Sequence, residues 1–504
     1  MDDGEMRARP GAPDLRLASP AGRWLLVAAV LGSALAGIDA TVVNVALPAI
    51  GRDLDAEFGA LQWTITGYTL TLASLILLGG SMGDRFGRRR VFLVGVVWFA
   101  VASLACGLAP NAPVLILARA VQGVGAALLT PGSLAMIQAS FRRDDRPKAI
   151  GVWSAFGGVA TAAGPFLGGW LVEAVSWRLV FLINLPLAAA VVLIGLRHVP
   201  ETRDPDAPRR LDLLGGALSV VALAGVTAAV IAVPDDGIGA APVLVPASTG
   251  VLAAVAFVVR ERQARAPMLP LSIFASRQFT ATNAVTFVVY AVFGGVFFLL
   301  TLQLQVVVGF TPLAAGLATM PVTVLMLLLS AWSGGLAQRI GARLPMTVGP
   351  LLCAASVLLM LRIGPGAGYL TDVLPAVVVL GLGLSVLVAP LTSAVLGAVA
   401  DEHAGIASGV NNAVARAANL LAVAAFPVIG GLTGAALSDP AAFAAGFTVV
   451  LWVGAGLLVV GAVLAWTTVA GHSPAAPDDR GPEPAHVHCP VTGPEVMGRR
   501  TPGA

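Results

Sequence analysis

Lysine is all but missing from this chain: Lys148 is the single example, in the stretch RRDDRPKAI. A nucleotide-driven pump needs a phosphate-cradling loop that ends in lysine, and the residues before Lys148 supply none. Charge of either sign is scarce, at 11% of 504 residues, and a formal net charge of +3 leaves no electrostatic footprint for a nucleic acid. Cysteine is equally sparse. Cys106 and Cys353 fall in apolar segments and Cys489 in a polar tail, which spells neither a disulfide framework nor a zinc site. No paired catalytic groups stand out either, so we expect no enzyme, no bound cofactor and no metal centre. The stretch HVHC at 486–489 lies in a tail rich in Pro, Gly and Ala, which we expect to be disordered and without a metal function.

What the chain has instead is apolar residues. A hydrophobic content of 57% and a mean hydropathy of +0.88 lie far outside the soluble globular range and identify an integral membrane protein. Crossing roughly 30 Å of hydrocarbon takes about 20 residues. Segments of that kind occur near 24–48, 62–81, 91–109, 113–137, 149–173 and 179–197, then 212–233 and 243–259, then 280–308, 313–333, 345–362, 373–397, 405–431 and 446–469. Fourteen spans are therefore expected. The first has no small-residue cleavage site at its end and is expected to be retained rather than removed as a signal peptide.

Arginine position supplies the orientation. With both termini cytoplasmic, Arg52, Arg178 and Arg362 are the only loop cations outside, and Arg119 and Arg416 the only ones within spans. All the other Lys and Arg residues then lie inside, the bias that sets orientation in the cytoplasmic membrane.

The chain also repeats. GSMGDRFGRRRVFLVG at 80–95 aligns with GGLAQRIGARLPMTVG at 334–349, pairing Gly80 with Gly334, Arg85 with Arg339, Gly87 with Gly341 and Arg89 with Arg343. Two parallel six-helix halves follow if the pair at 212–259 is an insert. The expected division is a cytoplasmic tail 1–22, a first half 23–198, the inserted pair 199–262, a second half 263–470 and a cytoplasmic tail 471–504. Duplicated halves with a site between them near the midplane are one plan of secondary transporters.

Five stretches carry a resemblance. They are IDATVVNVALP (38–48), GDRFGRRR after Gly80, LILARAVQGVGAALLTPG (115–132), GPFLGG (164–169) and WRLVFLINLP (177–186). In this order and on these helices the chain resembles the major facilitator superfamily, in its branch of fourteen-span drug:proton antiporters, over about residues 20–470. The resemblance implies an all-α membrane protein with the major facilitator fold and 14 transmembrane helices. It also implies a proton-coupled exporter of hydrophobic drugs, antibiotics or related small molecules, working as a monomer with protons and the lipid bilayer as its other partners. A proton-coupled symporter importing a small metabolite, or a transport-inactive sensor, stays open because one fold serves all of these.

Each stretch also has a physical reading. Asp39 lies about 22 Å along the first span from Trp24, and Arg119 about 8 Å into the fourth, at ~1.5 Å per residue, so the two charges reach similar depth. Burial opposes a charged carboxylate while a neighbouring guanidinium supports it, a competition that suits a switchable proton carrier. The alternative is a pair that only fixes packing. The resemblance implies a coupling role for Arg119, and Gln122 shares its face. In the loop, Asp84 and Arg85 are expected to form a conformational gate with Gly80, Gly87, Arg88 and Arg89, while Arg88 and Arg90 also serve as anchors. On the fifth span Gly151, Gly164, Pro165, Gly168 and Gly169 match the antiporter motif, with Ala160 where a glycine is expected, and small residues there let helices approach.

In the second half Asn411, Asn412 and Arg416 are candidate cavity residues. Arg416 has three open readings: pairing with Asp39, lining the cavity, or neutralising an anionic substrate. Since Glu173 and Asp372 fall at helix ends, Asp39 is the one mid-span carboxylate, so a dication would be poorly compensated. The expected cargo is lipophilic and monocationic, neutral or anionic.

Overall fold

The computed structural model describes residues 15–142, 144–205, 211–264, 267–399, 404–432 and 439–470. The tail with HVHC and Cys489 lies outside them. Fourteen helices among the described residues are long and apolar enough to cross a membrane. We number them α1 (Pro20–Asp53), α2 (Phe58–Phe86), α3 (Arg88–Gly107), α4 (Ala112–Ser140), α5 (Arg146–Ala174), α6 (Leu179–His198), α7 (Leu213–Asp236) and α8 (Ala241–Gln263). Then come α9 (Arg277–Val307), α10 (Pro312–Ala318 continued by Met320–Ile340), α11 (Arg343–Arg362), α12 (Tyr369–Leu396), α13 (Ala404–Ile429) and α14 (Pro440–Thr468).

Local signals place the ends. Ser19 Oγ accepts from the Gly22 amide, Asn111 Oδ1 from Val114 and Asp439 from Ala441 and Ala442, each satisfying an amide that the helix start leaves unpaired. At the other end of α2, Gly87 takes φ +111, which breaks the helix so that α3 can start at once. Helix α1 is longer than its apolar run, beginning at Pro20 and absorbing Pro48 before ending at Asp53. Its hydrogen bonding carries on past the hydrocarbon-length segment that hydropathy marks.

The two halves pack alike. Helix α1 rests on α5 and α6, α2 on α4, and α3 on α4 and α6; the same partners, shifted by eight helices, are α9 with α13 and α14, α10 with α12, and α11 with α12 and α14. Two symmetry-related seams join the halves, α2 with α13 and α5 with α10. Small residues permit the tightest crossings: a Cβ on Gly125 of α4 would strike the backbone of Phe99 on α3, and one on Gly225 of α7 would strike Gly250 of α8.

The seams differ in state. At the end away from the 84–90 loop, Gln62 Nε2 donates to the Val423 carbonyl across α2 and α13, and the Leu313 amide donates to Glu173 from α10 to α5. Toward the 84–90 end, Gly409 of α13 still packs against Leu77 of α2. Along α5 and α10, by contrast, Gly151, Gly157, Gly158 and Gly335 have nothing within 4 Å of where a Cβ would stand. A cleft therefore opens between α5 and α10 at the basic end and is sealed at the other.

Within the inserted pair, α7 is not merely peripheral to the two halves. It packs on α2 and on α13, with Ser219 Oγ donating to the Ser74 carbonyl at 3.0 Å, so it lies over the closed seam. The reason is shape: Gly216 lets α7 approach Leu75 and Leu78 closely enough to fill the groove between the halves.

Replacing Gly125 by leucine forces α3 and α4 apart and should lower stability by about 1–3 kcal/mol, the range for overpacking. Thermal unfolding in detergent checks this, with Gly157→Leu, which meets open space, leaving the midpoint unchanged.

Candidate functional site

Asp39 sits at the meeting point of the first half's helices. Its Oδ2 accepts from Arg119 of α4 at 2.5 Å, and its Oδ1 accepts from Gln122 of α4 at 2.8 Å and from Asn184 of α6 at 3.0 Å. Three donors on a carboxylate that is 0% exposed fit its ionised form, which only accepts. Arg119 is equally enclosed. It donates to Gln122 Oε1 and to the Thr64 carbonyl and lies 4.3 Å over the Tyr68 ring. Ser103 of α3 completes the cluster by accepting from Gln122 and Asn184 and donating to the Phe181 carbonyl. Asp39, Arg119 and Gln122 are thus in direct contact, while Arg416 takes no part in the cluster.

Asn184 and Ser103 were not singled out from the sequence. Asn184 belongs to WRLVFLINLP, whose repeated polar residues toward one helix were the available signal. Its Trp177 and Arg178 both donate to Asp53 at the end of α1, so that stretch grips α1 at two levels. Ser103 had no signal, being one hydroxyl in an apolar run.

In the loop, Asp84 pairs with Arg88 one turn on, at 2.7 Å, rather than with Arg85, which instead lies over Phe86. The expected involvement of Arg89 takes a form the sequence did not reveal. Glu201, just past α6, accepts from the amides of Arg89 and Arg90, and Arg89 donates to the Val199 carbonyl. A Cβ on Gly87 would collide with that Glu201 carboxylate. Gly80 makes only ordinary contact with Pro131. Among the described residues no ion pair of this loop reaches the second half, because the loop closes on the end of α6 in its own half.

The α5 motif divides. Cβ atoms on Gly164 and Gly168 would strike Thr41 and Val42 of α1, and one on Gly169 would strike Pro312 and Leu313 of α10. The Pro165 carbonyl lies against Gly316 of α10. These four join α1, α5 and α10 in one tight contact. Gly151 does not join them and faces open space toward the basic end.

Asn411, Asn412 and Arg416 share one cavity of about 310 Å³, with Tyr290 of α9 and Thr392 of α12 in its wall. Asn411 also fastens α13 to α9 by donating to Asn283 and Thr286, whereas Asn412 is exposed and caps only its own Ser408 carbonyl. Outside the cavity, Gln303 donates to the Ile363 carbonyl and Gln305 to that of Val45, bracing α9 at the sealed end.

Comparison with known proteins agrees with this architecture. Residues 29–423 match the model of the Major Facilitator Superfamily. Multidrug resistance protein Stp of Mycobacterium tuberculosis is 36% identical over 389 residues, 77% of this chain and 72% of that protein. Puromycin resistance protein pur8 of Streptomyces alboniger is 37% identical over 469 residues, 90% of this chain and 92% of that one. The crystal structure of a bacterial homologue of the human lysosomal transporter Spinster, inward-facing and occupied, superposes with a TM-score of 0.65 at 16% identity, covering 91% of this chain and 100% of its own.

Removing one partner of a buried pair leaves an uncompensated charge, so Arg119→Met should lose about 3–5 kcal/mol of stability. The double variant Asp39→Asn/Arg119→Met should recover most of it, as read by unfolding of the purified protein; equal loss in both would show that the two charges are not coupled.

Proposed function

The chain belongs to the Major Facilitator Superfamily of transporters, and we propose that within it the protein is a proton-driven exporter of lipophilic small molecules. It works from the cytoplasmic membrane with both termini and the 84–90 loop inside. The cleft between α5 and α10 then opens to the cytoplasm. Relatives named for multidrug and puromycin resistance support export of drug-like cargo. The observation that carries proton coupling is the sealed Asp39–Arg119 pair, a buried mid-span carboxylate that meets its cation within its own half.

A proton reaching Asp39 removes the charge that Arg119 answers. Arg119 keeps Thr64, Gln122 and the Tyr68 face, but α1 loses its hold on α4. Helix α1 is the one that seats α5 through Thr41, whose hydroxyl donates to the Thr161 carbonyl, and through Val42 against Gly168. Helix α5 in turn closes on α10 through Gly169 and Leu313. Neutralising one carboxylate thereby loosens the contact that seals the outer end, and alternating access follows when the seal and the cleft exchange. Coupling of this kind is an energy difference between two states that proton and cargo bias in opposite senses.

Inside-out vesicles made acid inside give the test. A compound that is exported should collapse the gradient in wild type and fail to do so in Asp39→Asn. Transport of one compound at equal rates by both proteins would make the carboxylate structural and sink the coupling; uptake with the proton rather than against it would favour the symporter.

A further inference from the structure

Arg416 lies on α13 about 18 Å from Ala404 at ~1.5 Å per residue, deep in the span. Among the described residues it makes no ion pair and no hydrogen bond. It lines one cavity with Tyr290 of α9 and Thr392 of α12, so it faces a space enclosed by three helices of the second half. The other side chains around its cavity of about 310 Å³ are neutral. The mid-span carboxylate that could have answered it, Asp39, is enclosed by Arg119, Gln122 and Asn184.

Arg416 is half-buried, so water in the open cavity can solvate this guanidinium. Closure around cargo removes that water, and an unmatched cation at mid-membrane depth is then heavily penalised. A cargo with its own negative charge lifts the penalty, and it does so best with two oxygens that match the planar fork of arginine. One aromatic ring lines the cavity, that of Tyr290, which is backed edge-on by Phe293 in the core behind it. Asn412 and Asn419 supply neutral polar groups beside the cation.

We propose that this cavity is the cargo site and that its preferred cargo is a lipophilic aromatic acid, with the carboxylate or phenolate on Arg416 and the ring against Tyr290. This deepens the exporter reading and rests on it. The same geometry argues against lipophilic cations as the main cargo, because no free carboxylate lines the cavity and Arg416 repels them.

Three probes of one size and different charge test it: naphthoate, its uncharged methyl ester, and naphthylmethylammonium. Binding to the purified full-length protein is measured calorimetrically. Naphthoate should bind about tenfold or more tightly than either neighbour, as charge-assisted pairing at a desolvated site provides. Arg416→Gln should abolish the preference and Arg416→Lys keep part of it. Asn412→Asp, one turn from Arg416, should weaken naphthoate alone by supplying an internal anion, and it keeps the question answerable if Arg416→Gln does not fold. Equal affinities, no binding of naphthoate, tighter binding of the ammonium, or a preference that survives Arg416→Gln would each overturn the assignment. None of these readouts involves proton movement, so loss of coupling in the vesicle assay with the naphthoate preference intact sinks the antiport reading alone.

Discussion

The contact between Asp39 and Arg119 organises the first half. Each charge alone is too costly to hold in the hydrocarbon depth of a bilayer, and each is tolerated because the other lies against it. Satisfying the remaining donors and acceptors then recruits Thr64 and Tyr68 from α2, Ser103 from α3, Gln122 from α4 and Asn184 from α6. One ion pair thus sets the relative position of five helices. Among the described residues the second half has no counterpart. Its mid-span polar contacts, such as Asn411 on Asn283 and Thr286, are neutral, and its one deep charge stands apart.

In the exporter proposed above, that difference gives two related halves distinct work. The first holds its charges inside itself, away from the cleft, so a proton can act on packing without touching the cargo. The second presents its charge to a cavity of its own, between α9, α12 and α13. On that proposal a cargo and a proton occupy separate groups and need not compete for one carboxylate, and the tight contacts among α1, α5 and α10 would carry the link between them.

Much of this was legible in the residues. Fourteen apolar runs, the bias of arginine to one side and the doubled glycine and arginine pattern describe the layout, because membranes punish exceptions to hydropathy and repeats preserve spacing. The similar depth of Asp39 and Arg119 followed from the constant helical rise, and the structure supplies the facing that brings them together. Glu201 and Ser103 were not legible: each acts through a three-dimensional approach between segments far apart in the chain, and neither stands out from its neighbours. The division within the α5 motif was hidden for a similar reason. Gly151 and Gly168 are the same residue on one helix, and only the distance to a second helix separates a tight contact from open space. The placement of α7 over a seam was masked by its near-uniform apolarity, which marks no preferred face.

Because α7 covers the α2 and α13 seam while α5 and α10 stand apart at the basic end, the bundle is hung like a door, hinged along one flank and ajar along the other. The hairpin of α7 and α8 stands between the lipid and the hinge. On the exporter reading proposed above, a molecule dissolved in the adjoining leaflet would therefore meet the interior from a single side, through one lateral opening where an uncovered twelve-helix bundle of this symmetry would offer two.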